Sequence, residues 1–326
     1  MLLVTGGAGY IGSHFIKAYL NKFTTHELLI IDNFSQGHHE AIANLSNVKI
    51  VNCDLMNLTD LEKVFETYPV DAVIHFAAYT EVGESQINPV KFFQNNVSGS
   101  INLVNAMDNF GVKKMVFSSS CAVYGIPEKI PIAETTPVNP LNIYGLTKKI
   151  IEDVLLAMHK TKGLSCVILR YFNASGASFD GSIGEAHDPE SHLIPLVLNA
   201  ALTNKPLKIF GGDYPTHDGT CIRDYIHVND LANAHLKSLE LVETSCLSEV
   251  FNLGSSCGVS VLDIIKTASM ITNTDIAYEI VARRDGDPPV LIADYEKAKQ
   301  GLNFYPEYDL TKIIQSAWRW QLNKQY

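Results

Sequence analysis

Tyr144 and Lys148 stand four residues apart in Tyr144-Gly145-Leu146-Thr147-Lys148, a stretch that reads as the start of a helix. On a helix this spacing puts both side chains on one face, about 6 Å apart along the axis. An ammonium stabilises a neighbouring phenolate, so Lys148 is expected to draw the Tyr144 pKa from about 10 towards neutrality and make the phenol a general base. The pattern Tyr-x-x-x-Lys alone is common on protein surfaces, so its weight depends on what accompanies it. A serine-rich strand end accompanies it here, in Phe117-Ser118-Ser119-Ser120-Cys121-Ala122-Val123-Tyr124-Gly125.

A second group of residues lies at the start of the chain. Directly after the strand-like Met1-Leu2-Leu3-Val4 comes Thr5-Gly6-Gly7-Ala8-Gly9-Tyr10-Ile11-Gly12, which reads as GxGxxG from Gly7 or GxxGxxG from Gly6. Glycines there permit a tight strand-to-helix turn and close backbone approach by a pyrophosphate, whose charge meets the free N–H groups of the new helix. Asp32, at the end of the next strand, can accept hydrogen bonds from adenosine ribose hydroxyls and repel a 2′-phosphate. The spacing therefore predicts a dinucleotide site that favours NAD over NADP.

These residues need a scaffold, and short β-branched or leucine-rich runs alternating with helical patterns predict a parallel sheet built of βαβ units. Strands are expected at Leu2-Val4, Leu28-Asp32, Val48-Val51, Ala72-His75, Met115-Ser118 and Cys166-Leu169. Ile11, Phe15, Ala18 and Tyr19 recur at helical spacing and give the intervening helix one apolar face. From Ala174 to Ser191 the sequence is rich in Gly, Ser, Asp and Glu, and a lobe boundary is placed there. The expected fold is α/β, a Rossmann-type doubly wound parallel sheet over 1–173. A smaller α/β substrate-binding lobe follows over 174–326, with some of its segments returning to the first. That second part is expected to hold helices near Leu193 to Leu202, from about Asn229, over Ser260 to Met270 and over Leu310 to Leu322. Strands are expected there near Leu207 to Phe210 and Val250 to Leu253.

Composition narrows the function. With 25 Lys+Arg against 35 Asp+Glu in 326 residues, the net charge of -10 argues against a general attraction to nucleic acid or anionic membrane. A phosphate-bearing ligand must then be met by placed cations, and Arg223 and Arg284 are candidates, because a guanidinium fork contacts phosphate oxygens in pairs. The six cysteines show no CxxC pair or zinc-like spacing and are expected to be buried reduced thiols. His187 and His192 lack the paired ligands a metal site requires, so no metal is assigned. The strand-like start leaves no room for a targeting segment, and no uncharged apolar run reaches about 18 residues. A cytoplasmic location is expected.

Taken together, several blocks resemble the UDP-glucose 4-epimerases, extended-type members of the short-chain dehydrogenase/reductase superfamily. They are Gly6 to Gly12, Val73-Ile74-His75-Phe76-Ala77-Ala78, Val82-Gly83-Glu84-Ser85, Asn95-Asn96-Val97 and Ser118 to Ser120 in the first half. In the second half they are Arg170-Tyr171-Phe172-Asn173, Ile209-Phe210-Gly211 with Asp213-Tyr214-Pro215-Thr216, and Arg223-Asp224-Tyr225-Ile226-His227-Val228. The resemblance implies that Tyr144 takes the proton from the sugar 4-hydroxyl while C4 gives its hydride to NAD, with Ser120 bonded to the same oxygen and Lys148 on the nicotinamide ribose. It implies cofactor contacts from Gly6, Gly9, Tyr10, Ile11, Gly12, Asp32, Asn33, Asp54, Leu55, Phe76, Ala77, Asn95, Tyr144, Lys148 and Phe172. Substrate contacts are implied for Ser120, Tyr144, Asn173, His192, Leu193, Phe210, Arg223, Arg284 and Asp287. The family pairs through its long helices, which implies a homodimer.

Two positions depart from the pattern. Thr80 stands where some relatives carry a lysine near the cofactor, and Leu291 stands where side-chain size is thought to decide whether an N-acetyl sugar is admitted. A dehydratase of the superfamily is disfavoured, since Cys121 and Ala122 replace the acid/base pair that would eliminate water. Epimerases of N-acetylhexosamine or glucuronate nucleotides remain alternatives, as does a non-catalytic NAD sensor on the same fold.

Overall fold

The computed structural model describes every residue except Asn44, Asp285 and Gly286. Its strands are β1 (Leu2–Thr5), β2 (Leu28–Asp32), β3 (Val48–Asn52), β4 (Ala72–His75), β5 (Lys114–Ser120), β6 (Ser165–Tyr171) and β7 (Asn173–Ser175), followed by β8 (Leu207–Phe210), β9 (Ile222–His227), β10 (Ser248–Leu253), β11 (Gly258–Ser260), β12 (Tyr278–Val281) and β13 (Val290–Leu291). Seven of them form one sheet in the order β10-β6-β5-β4-β1-β2-β3. Every pairing within it is parallel.

A parallel sheet covered on both faces reads as near-continuous hydrophobic sequence, and β1, β2 and β4 are buried throughout. Alternate residues enter two separate cores. Val4, Ile30, Ile74 and Leu169 pack with Phe15, Ile16 and Tyr19 from the helix Tyr10–Lys22 and with Leu231 and Leu239 from the helix Val228–Thr244. Leu3, Leu29, Val73 and Ile168 pack on the opposite face with Leu61, Leu103 and Leu155. The apolar stripe anticipated at Ile11, Phe15, Ala18 and Tyr19 does face the sheet.

The chain runs outward from β1 through β2 to β3, then returns to the other side of β1 with β4. At that reversal the crevice beyond the strand ends is open to a ligand. β10 also returns to this sheet, beside β6, so the sequence after 173 contributes its last strand.

The smaller sheets hold β11-β9-β13, with β7 on the side of β9, and a β12-β8 pair. β9 holds Arg223 to His227 of the Arg223 to Val228 block, and the sequence reading assigned it no strand. Its polar Arg223 and Asp224 break the expected alternation, and its partners come from three distant segments. Asn95 lies in a continuous helical run made of Pro89–Phe92, a π turn over Phe93–Ser98 and Gly99–Asn109, which follows the short helix Val82–Ile87. Single π turns inside helices often mark functional positions. No helix among the described residues is long and apolar enough to cross a membrane.

Candidate active site

At the end of β1 the chain turns through Gly6 with φ +67°, and a Cβ there would lie 2.6 Å from the Ala77 nitrogen, beyond the end of β4. The turn thus requires glycine both for its dihedral and for the approach of the neighbouring strand end. The helix Tyr10–Lys22 then begins without a side-chain cap or an acidic residue in its first turn. Its N-terminal N–H groups and positive dipole end are available to an anion, and Gly9 to Gly12 line a continuous cleft of about 1500 Å³. Pockets for one small ligand usually span about 300–1,000 Å³, so this cleft has room for two.

The other expected cofactor residues line the same cleft: Asp32, Asn33, Asp54, Leu55, Phe76, Ala77, Asn95 and Phe172. Asp32 accepts the N–H groups of Ala8 and Phe34, each at 2.9 Å, which fixes the glycine turn to the end of β2. Burial raises its carboxyl pKa, and those two hydrogen bonds act against the rise. Asn33 donates to Asp54 at 3.0 Å, joining the ends of β2 and β3. Asn95 donates to Asn96 at 2.9 Å, and Asn96 in turn holds both backbone polar groups of Tyr79. At Thr80, the position lacking a lysine, the neighbouring Glu81 accepts from Gln36 across the cleft at 2.6 Å.

Tyr144 and Lys148 lie in the helix Ile143–Lys162, capped by Asn142, and Ser85 accepts the Tyr144 N–H at 3.2 Å. A Cβ at Gly145 would meet the Ala122 carbonyl at 2.5 Å, so glycine lets this helix close on the turn that carries Ser120. The result brings Ser120, Tyr144 and Lys148 together on the cleft wall, with the Ser120 hydroxyl accepting the Ala122 N–H at 3.2 Å.

The expected pKa shift is reversed. Burial pushes the phenol well above its ordinary value and the nearby Tyr171 adds to the rise, while Ser120 works against them. Lys148 is itself lowered to about 7 by burial, opposed by Glu152, and its Nζ donates to the Ser118 carbonyl at 2.8 Å. Desolvation is the largest cause of both shifts, and helical spacing does not reveal it.

Sequence reasoning missed the layer behind these residues. Arg170 donates from Nε and Nη2 to the two Glu152 oxygens at 2.9 and 2.5 Å, and Ser119 donates to Glu152 at 2.5 Å. Arg170 also donates to the Tyr124 hydroxyl at 3.0 Å, which donates to Asn252 at 2.7 Å. Glu152 follows Lys148 by four residues, so the 144–148–152 stripe was a signal available in the sequence.

On the opposite wall Asn173 donates to the Asp224 carbonyl at 2.7 Å. Arg284 stacks on Phe210 with its guanidinium 4.1 Å from the ring centroid. Arg223 and Asp287, expected to contact different parts of a ligand, are ion-paired with each other. Asp285 and Gly286, in the same block, lie outside the described residues. Leu193 lines the cleft at the start of the helix Leu193–Thr203, and Leu291 packs beside Phe172 and Val123. His192 lines the cleft, with its Nδ1 2.6 Å from Glu185. Glu185 and Glu190 fold in beside His187 and His192, and one nitrogen or oxygen atom from each of the four lies within 4.8 Å of the others. The cysteines are unpaired as anticipated, although Cys246 and Cys257 are exposed.

Residues 2–254 match the family model described as the NAD dependent epimerase/dehydratase family. The chain belongs to this family. Among its epimerase relatives, the UDP-glucose 4-epimerase of Streptococcus mutans is 47% identical over 322 residues, covering 98% of this chain and 96% of the relative. The crystal structure of the Bifidobacterium longum UDP-glucose 4-epimerase with NAD+ and UDP superposes with a TM-score of 0.94 at 35% identity, covering 99% and 98% of the two chains. The UDP-Glc/GlcNAc 4-epimerase of Campylobacter jejuni is similar at a TM-score of 0.86 and 39% identity, with 99% of each chain covered.

Proposed function

We propose that the chain is a UDP-glucose 4-epimerase that interconverts UDP-galactose and UDP-glucose with a resident NAD. The observation that carries this reading is the convergence of Ser120, Tyr144 and Lys148 on one cleft with the uncapped glycine turn. The cradle fits a dinucleotide. A Cβ would fill the space at Gly6, the helix N-terminus offers donors to a pyrophosphate, and Asp32 lies where an adenosine ribose would end. NAD would supply a hydride acceptor that later returns the hydride, and its pyridinium would add positive charge near the phenol.

Tyr144, as phenolate, accepts the proton of the sugar 4-hydroxyl as C4 loses its hydride, and Ser120 holds the same oxygen. Lys148 keeps its charge beside the phenolate and anchors the nicotinamide ribose. The 4-keto sugar, tethered by its diphosphate between Arg223 and Arg284, turns over and is reduced on its other face. Tyr144 then returns the proton, so no net oxidant is consumed. Asp287 must leave Arg223 or share it, serving the uridine ribose.

The same reading includes two lobes, divided near Asn173 with β10 returning to the first. It also includes a cytoplasmic homodimer. The exposed Ile87 and Val90, 78% and 65% accessible on the helices beside Asn95, support pairing there. Light scattering should give twice the chain mass.

The deciding experiment adds UDP-galactose to purified protein and follows UDP-glucose formation. Turnover with no added NAD is expected, and no product at any substrate concentration favours an NAD sensor. Leu291 on the cleft wall also favours testing UDP-N-acetylglucosamine, since its bulk is intermediate.

A further inference from the structure

The geometry points to a site for one divalent transition metal of the zinc class, held by Glu185, His187, Glu190 and His192. Their four ligand atoms all lie within 4.8 Å of one another. Four ligands at about 2.0–2.1 Å from a tetrahedral ion stand roughly 3.3 Å apart. The recorded separations scatter around that edge: His187 Nδ1 lies 3.3 Å from Glu185 Oε1 and 3.9 Å from Glu190 Oε1, and His192 Nδ1 lies 2.6 and 3.6 Å from the same two oxygens. Two imidazoles and two carboxylates are a donor set that suits zinc.

A second observation separates this cluster from a surface ion-pair network. His187 Nδ1 is sealed from solvent and has no hydrogen-bond partner among the described residues. Glu185 is buried, and it shares the cluster with a second carboxylate, an arrangement that needs a cation between them.

The backbone is already fixed for ligation. Glu190 Oε1 accepts the N–H groups of Ser191 and His192 at 2.8 Å each. Trp320 donates to the Glu185 carbonyl at 2.8 Å, and a His38 ring nitrogen meets the Ala186 carbonyl at 2.8 Å. Ligands held this way are oriented before the metal arrives. Glu185, His187 and His192 line the large cleft, in the segment leading into the helix Leu193–Thr203. A bound metal would pin this segment between the glycine-turn side, through His38, and the substrate side. The inference does not depend on which sugar nucleotide is turned over.

The test is a cobalt(II) titration of the tag-free, dialysed holoprotein, followed by visible absorption. Saturation at one cobalt per chain with the intensity of a tetrahedral complex is expected, and zinc should abolish the bands. His187→Ala should weaken uptake at least about tenfold. His217→Ala should leave it unchanged, although His217, Asp218 and Asp263 form a second, more exposed cluster. His187→Cys should restore uptake and add thiolate charge-transfer intensity, which guards against a misfolded alanine variant. Absence of saturable uptake, undiminished uptake in His187→Ala, loss in His217→Ala, or a wild-type spectrum in His187→Cys would each overturn the assignment.

Discussion

Replacing Lys148 with methionine removes a buried charge and keeps most of the stem that carries it. Its Nζ lies 5.8 Å from the centroid of the Tyr144 ring. Two unit charges at that separation, in an effective dielectric of about 20, attract by about 3 kcal/mol. This equals about two pKa units, and the effect is reciprocal, because a phenolate holds the ammonium charged by the same amount. The pH at which the epimerisation rate rises should therefore move about two units towards alkali in Lys148→Met. At neutral pH the rate should fall about 100-fold and recover in strong base. The assay is kcat for UDP-galactose from acid to alkaline pH, with product separated after quenching and bound NAD measured after denaturation. NAD content separates a lost ribose anchor from a lost charge. A variant that retains NAD and shows the wild-type profile, merely scaled down, would refute the electrostatic role of Lys148.

Tyr144→Phe should lower kcat by about 10²–10⁴ while leaving NAD and UDP binding nearly intact, because it removes one hydroxyl and little packing; near-normal turnover would eliminate Tyr144 as the base. Asp32→Ala removes the acceptor of two backbone N–H groups and the charge facing a 2′-phosphate, so the preference for NAD over NADP should shrink, as competitive reconstitution would show. Glu152→Gln leaves Arg170 without its buried counter-charge and should cost about 3–5 kcal/mol in urea unfolding; a loss below about 1 kcal/mol would contradict a structural role for the pair. His235 is lowered to about 4 by burial, with an opposing hydrogen bond to the Leu231 carbonyl. A depressed histidine makes the unfolded chain bind the extra proton, so its contribution to stability is complete above about pH 6.5 and is lost as pH falls towards 4. His235→Phe, packed beside Phe15 and Phe76, should flatten the acid limb of the melting temperature against pH, and an unchanged limb would count against this origin.

The large sheet and the glycine turn were legible in the sequence because their causes are local. Apolar runs such as Leu28–Asp32 become buried parallel strands, and only glycine meets the backbone demand at Gly6. The 144–148 spacing likewise fixed two side chains on one helix face. The protonation of those side chains was not legible, since burial by distant segments set it and reversed the expected direction. β9, the Glu152–Arg170 pair, the Arg223–Asp287 pair and the cluster of Glu185, His187, Glu190 and His192 share that limit. Local sequence determined which groups could turn, cap or carry charge. Tertiary folding decided which of them meet and how much water they lose, because desolvation and pairing depend on neighbours that the chain brings in from far along its length.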